Sequence, residues 1–416
     1  MVKIKLLWLF FALFVILASC SLPGAPAGSM YSFGEIPGED DGNRPPTVVQ
    51  QLALLQQTAQ SGSSHVVYAR NNEIIQTTQI IYYTGLQDIT ITIQSYGNNR
   101  HMLSLAGNRA MFQVQGHNVT LVLQNIILQG HHENNYSLVI INHGGMLKMN
   151  NGSVIRGNYG RGVSVIGGSL SMTGNASVSA NLNEGVQVNM GSVSMHNTAQ
   201  IYGNSGGGVL LTYSILTMRD SSAINNNQRV GGVTMTGGAS RLFMHGNAAI
   251  HNNNSFGRNM GGGGVTAQQG SRIYMYENAT IRHNRNDNGT GGGGIFLLLS
   301  HLNMHGDGIQ VRNNQSLSRY SGGGVWMSGA GSSLNISGGL ISGMGCPNTN
   351  FAHGTHQAMY ISKEWGNSSV ARSGSYTPSG GSTPGVFTPG PARASSDFII
   401  QVSGNGSSGT WGGVPW

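Results

Sequence analysis

The stretch "GGGVTAQQGSRIYMYENATIRHN", residues 262–284, alternates apolar and polar residues and is bounded by glycine and asparagine. Alternation at period two belongs to strands, and its three apolar bursts are too short for helices. Each burst recurs elsewhere in the chain. Glycine followed by Val or Ile returns at Val163, Val186, Val209, Val233, Val265, Ile295 and Val325. An apolar-x-Met burst ends at Met149, Met172, Met195, Met218, Met244, Met275 and Met304, with Ile336 in the last copy. A third recurs at Val178, Ile201, Ile224, Ile250, Ile281 and Ile309, and Asn158, Asn181, Asn204, Asn227, Asn284 and Asn314 close many copies. Successive methionines of the series lie 23, 23, 23, 26, 31 and 29 residues apart. Self-similarity at such a period marks a solenoid.

The kind of solenoid follows from the strands. One turn cannot bury its own apolar set. Turns stacked about 4.8 Å apart pair each strand in parallel with its equivalents above and below. Inward residues then form ladders of like on like: Val/Ile, Leu/Met and Ala/Ile. Asn and Gly suit the corners because both tolerate left-handed backbone. The expected fold is all-β, a right-handed parallel β-helix with three strands per turn. Upstream, "DITITIQSYG" (88–97), "FQVQGHNVTLVLQNIILQG" (112–130) and "SLVIINHGGMLKMNNGSVIRGN" (137–158) alternate similarly, extending the body to roughly nine or ten turns. "TVVQQLALLQQTAQ" (47–60) spaces Val48, Leu52, Leu55 and Ala59 as a helix does, and Thr47 with Gln50 matches a capping box. Such a helix would cover the first turn, whose strand edges would otherwise pair with other chains.

The ends read differently. "MVKIKLLWLFFALFVILASC" has a basic start, an apolar run and small residues before Cys20, which is the form of a secretion signal. Leu17-Ala18-Ser19-Cys20 resembles the bacterial lipobox, which implies cleavage after residue 19 and acylation of Cys20. Two or more acyl chains make a stable anchor, since each buried CH₂ contributes about 0.8 kcal/mol. Ser21 after the cysteine leans towards an outer-membrane destination. Residues 20–46 form a flexible tether, 47–365 the β-helix and 366–416 a Gly/Ser/Pro-rich tail. Within the tail, "DFIIQV" (397–402) reads as a late strand, with Trp411 and Trp416 as candidates for a C-terminal cap. An acylated Cys20 leaves Cys346 without a disulfide partner. Only 8% of the 416 residues are charged, and the formal charge is +7. Removing Lys3 and Lys5 with the signal leaves 19 basic against 14 acidic residues, or +5. The cations are scattered along the sequence with no basic, aromatic-interleaved run, so nucleic acid is not expected as a partner.

From 47 to 345 the chain resembles the pectin-lyase-like right-handed β-helix superfamily. Its cadence "LxM…GNAxI…N…GGGV" is similar to repeat lipoproteins of the spirochaetal kind. The resemblance specifies a fold and no reaction, because that superfamily holds lyases, hydrolases, adhesins and scaffolds.

Lyases of this fold need an acidic calcium cage with an Arg base, and its hydrolases need several aspartates on one face. The best catalytic geometry here is Glu277 with Asp307, at one corner of adjacent turns; with an Arg nearby, and with calcium only under a lyase reading, they would act on an acidic polysaccharide. That corner holds Asn151, Gly174, Asn197, Asp220 and Gly246 in other turns, so exposed turn residues are the simpler account. His196, His245 and His305 follow the column Met, with Arg219 and Tyr276 in the intervening turns; alternate turns are too far apart for one metal without a ligand between them. His251, Arg282 and Arg312 follow the third burst in consecutive turns and would form a basic ladder for an acidic glycan. The methionine column reads as core rather than a soft-metal site. Turns lengthen after Met218 through inserts at 252–262, 284–292 and 313–323, which carry Phe256, Arg258, Arg285, Arg319 and Tyr320 as candidate ligand contacts. The expected protein is a lipid-anchored envelope scaffold or adhesin that uses no cofactor and binds a glycan or matrix ligand through these inserts. The alternative is a polysaccharide lyase or glycoside hydrolase.

Overall fold

The computed structural model describes residues 45–256, 261–287, 289–317, 321–328, 332–336 and 338–342, with short pieces between 348 and 415. Strands stack into three long sheets and a short fourth. The second sheet, with 11 strands, has one per coil; the first has 14 and the third 12, while the fourth has 5. The strands of successive coils pair in parallel, and antiparallel pairing is found at the Val230–Ser255 bridge and at the C-terminal end. The chain is a parallel β-helix.

The columns read from the sequence are real ladders. Met149, Met172, Met195, Met218, Met244, Met275 and Met304 pair in succession, ending on Ile336. The valine column runs unbroken from Val163 to Val325. These residues are wholly buried or nearly so in one continuous core. The third column departs from expectation at its last member. Ile281 pairs with Val311 rather than Ile309. One extra residue at Gly306–Gly308 shifts the register, so Ile309 stands where Ala279 stands one coil earlier, each amide bonded back to the corner before it.

Asparagine does more than turn a corner. Asn227 Oδ1 accepts from both the backbone N–H and the Nδ2 of Asn204, at 3.0 and 2.9 Å. Asn253, Asn284, Asn314 and Asn350 repeat this pattern above it. The residue before each of Asn227, Asn253, Asn284 and Asn314 is left-handed: Asn226, Asn252, His283 and Asn313 have φ of 54°, 56°, 55° and 54°. A buried side-chain amide at each of these coils thus satisfies the backbone where the strand pairing is interrupted.

The opening glycines have a different cause from the left-handed backbone expected of them. Gly261 to Gly264 do not have positive φ. A Cβ on Gly264 would lie 2.7 Å from the Gly294 carbonyl and 2.9 Å from Asn284 Nδ2, and one on Gly261 would lie 2.9 Å from Thr266 Oγ1. Stacked backbones approach too closely for any side chain.

Helix α1 (Val48–Thr58) closes the N-terminal end. Its capping box forms as the sequence predicts, and Val48 and Leu52 are buried. Its polar groups meet the edges of all three sheets. Gln51 exchanges hydrogen bonds with the Tyr68 backbone at 2.9 and 3.0 Å. Glu73, on the second sheet, accepts the Val48 N–H at 2.9 Å, and Gln56 donates to the Ile80 carbonyl at 2.9 Å. At the far end, the late strand forms over Phe398–Ser403 and pairs antiparallel with Ser333–Ile336. Trp416 lies outside the described residues.

Candidate functional site

Strand register places His251, Arg282 and Arg312 directly over one another on the outer side of the second sheet. Consecutive coils separate them by about 4.8 Å. All three are half-buried, and His251 Nδ1 and Arg312 Nε are enclosed without a hydrogen-bond partner. His283 stands beside the ladder, its Nδ1 3.3 Å from Arg282 Nη1 and its Nε2 2.9 Å from Asn313 Nδ2. The ion pairs found among the described residues join His132 to Glu133, Arg161 to Glu184 and Arg285 to Asp287, and none of them neutralises this ladder. Burial, then Arg282 and His283, push His251 down to about 4. Burial, then Arg282 and Arg312, also lower His283, and burial followed by Arg312 lowers Arg282. An oxyanion placed here would relieve the repulsion between the stacked Arg282 and Arg312 guanidinium groups.

Because the folded chain resists protonating His251, the unfolded chain binds that proton first as pH falls. The contribution of His251 to stability is therefore present above about pH 6.5 and is lost as pH drops towards 4. Thermal unfolding followed across this window is expected to show the loss. His251→Asn, which continues the column from Asn225, is expected to flatten the profile. An identical profile in the variant would refute the assignment.

The inserts are partly ordered rather than loose spacers. Asn254–Ser255, Arg285–Asn286, Gln315–Ser316 and Phe351–Ala352 stack as parallel strands of the fourth sheet. Arg285 is committed to Asp287, which also accepts from Asn254 Nδ2 at 3.0 Å. Phe256 is exposed at the end of the first such strand. Arg258, Arg319 and Tyr320, like Cys20 and Cys346, lie outside the described residues. The Gly261–Gly264 segment folds back over the outer side of the third sheet, where the Gly262 N–H donates to Thr266 Oγ1 at 2.8 Å. On that side Phe296 and Trp326 stack at 4.5 Å as a small second core.

The carboxylate corner is built for turns. Asp220 and Glu277 have φ of 57° and 58°. Asp220 Oδ2 accepts the Asn197 N–H of the preceding coil at 2.8 Å, and Glu277 Oε2 accepts the Gly246 N–H in the same way. Asn197 Oδ1 does likewise for Gly174 at 3.2 Å. The residue above Glu277 is Gly306, whose added Cβ would meet the Glu277 backbone at 2.9 Å. Asp307, exposed, therefore stands one position beyond the Glu277 column. Among the described residues, no three His, Cys, Asp or Glu side chains gather as a metal-ligand set.

The structure also concentrates cations on the outer side of the first sheet, where sequence reading saw only scatter. Arg241, Arg272 and His301 form one column, and Phe243, Tyr274 and Asn303 form the next. Phe243 and Tyr274 stack at 5.0 Å with planes 10° apart. In a third column Tyr276 lies between His245 and His305, stacked on them at 4.6 and 5.7 Å. Burial, then Arg272 and Arg241, lower His301; burial, then Arg219, lower His245 against an opposing pull from Glu277. The signal was present in "RLFMH" (241–245) and "RIYMY" (272–276), whose first and third residues point outward on either side of a buried neighbour. Comparison with protein-family models, curated proteins and solved structures returns no match.

Proposed function

We propose that this chain is a lipid-anchored cell-envelope β-helix protein, a non-catalytic surface scaffold or adhesin that binds an acidic glycan or matrix ligand along its insert-bearing edge. The observation that carries the binding is the His251–Arg282–Arg312 ladder: two arginines in consecutive coils above a half-buried histidine, with no carboxylate paired to them among the described residues, beside the fourth sheet. Anchoring rests on Leu17–Cys20 and the tether that follows. Among the described residues no helix is long and apolar enough to cross a membrane, so a membrane attachment would use that lipid or another part of the chain. The narrower kinship with pectin-lyase-like proteins and spirochaetal-type repeat lipoproteins belongs to the same proposal and rests on the cadence of the repeat.

The rival reading, a polysaccharide lyase or glycoside hydrolase using Glu277 and Asp307, has less support, because Glu277 already caps a backbone amide. The test is binding of the full chain to a glycan and matrix-protein array. Arg282→Ser with Arg312→Ser is expected to weaken the strongest hits at least ~10-fold, equivalent to about 1.4 kcal/mol. Unchanged binding by a folded variant would sink the proposal. New reducing or unsaturated ends on an acidic polysaccharide, lost in Glu277→Gln, would favour the rival.

A further inference from the structure

In two coils of the first sheet the outward columns of Arg241 and Phe243 both hold serine, at Ser169 and Ser171 and at Ser192 and Ser194, with Met146 and Lys148 in the coil before and Ile215 and Thr217 in the coil after. Serine returns at Ser333. The three coils that begin at Arg241, Arg272 and His301 instead carry large cationic, aromatic or polar side chains at every outward position. This patch spans about 10 Å along the solenoid and ~13 Å across it, from the strand spacing and the rise per residue. Nothing in the repeat demands Arg or an aromatic ring there, since serine serves in other coils.

The geometry selects the ligand. Stacked planes bring each ring's faces towards its neighbours in the column and turn its edge outward. A neutral sugar that packs on a ring face therefore has little face to use. The exposed edge is the positive end of an aromatic quadrupole, so the aromatic columns reinforce the cations. Arg241 Nη1 is fixed on the Gly238 and Ser240 carbonyls at 2.8 and 2.9 Å, which leaves its Nε and Nη2 donors for a partner. Arg272 is exposed. Arg241 and Arg272 stand on one side of the Phe243–Tyr274 column, and on the other stands Arg219, exposed one coil below His245. A chain lying over that column needs anions on both of its edges. A uronate ring carries its carboxylate on one edge, whereas sulfate esters occupy either.

We infer that this face of the first sheet binds a linear sulfated polysaccharide, its chain along the solenoid axis over Phe243 and Tyr274, its sulfates reaching Arg241, Arg272 and His301 on one side and Arg219 and His245 on the other. The site is separate from the insert-bearing edge and does not depend on it. The experiment is calorimetric titration of the full chain with a size-defined heparin octasaccharide, its desulfated counterpart and polygalacturonate. Arg241→Ser with Arg272→Ser restores the serine found elsewhere in the column, and the single Arg272→Gln serves if the double variant fails to fold. Binding of the sulfated probe is expected to fall at least ~10-fold in these variants, with unchanged circular dichroism. The two unsulfated probes are expected to bind the unaltered chain at least ~10-fold more weakly than the sulfated one. Three results overturn the inference: no binding of the octasaccharide, equal binding of polygalacturonate, or undiminished binding by the folded variants. Loss confined to Arg282→Ser with Arg312→Ser would also overturn it, moving the ligand to the other edge and leaving the proposed function intact.

Discussion

Replacing Asn253 by leucine is expected to lower the stability of the solenoid by about 4 kcal/mol, among the largest effects a single substitution produces. Asn253 is fully buried. Its Oδ1 accepts from the backbone and side chain of Asn227, each at 3.0 Å. Its Nδ2 donates to the Ile224 and His251 carbonyls and to Asn284 Oδ1. Leucine is similar in size but leaves the Asn227 N–H and one Asn227 Nδ2 hydrogen without an acceptor and takes a donor from the Ile224 carbonyl, in a place water does not reach. Each orphaned group costs about 1–3 kcal/mol, and relaxation recovers part of the sum. Asn252→Gly is the control, because Asn252 is exposed and already left-handed, and glycine accepts that backbone freely. Denaturant unfolding followed by circular dichroism should separate the two; a shared midpoint would show that the ladder contributes little.

The second large effect is expected from Gly264→Ala, which should destabilise by about 3 kcal/mol although it adds a single methyl group. The new Cβ would press on the Gly294 carbonyl, Asn284 Nδ2 and Ile281 Cγ2, all within 2.9 Å. The first is backbone and the second belongs to the asparagine ladder, so neither yields cheaply. Gly270→Ala offers the contrast. It has positive φ, and its added Cβ would approach Gly238 only to 3.2 Å. Its penalty should come from conformation alone and be nearer 1 kcal/mol. Equal losses at the two sites would mean that crowding is not what excludes side chains from the glycine run.

These cases show what the sequence can disclose. A ladder needs like on like, so the methionine and valine columns were readable residue by residue. The Ile309 slip was not readable, because Ile309 and Val311 are both apolar and buried and spacing alone does not identify the extra residue. Gly261 to Gly264 look like turn residues, yet what excludes a Cβ there includes Gly294, far along the chain. The basic ladder at His251 emerged because its members follow a conspicuous apolar burst. The cations of the first sheet were missed because Arg241 and Arg272 precede that landmark methionine by three residues, and only strand pairing shows them to be adjacent.

Equal rise per coil makes the molecule a ruler. Each coil is held chiefly by the one before and the one after, so a duplicated unit of the 23-residue type inserted ahead of Met218 would leave both cation arrays unaltered. It would carry them about 4.8 Å farther from helix α1. Variants differing only in coil number would then present the same chemistry at graded distances from helix α1.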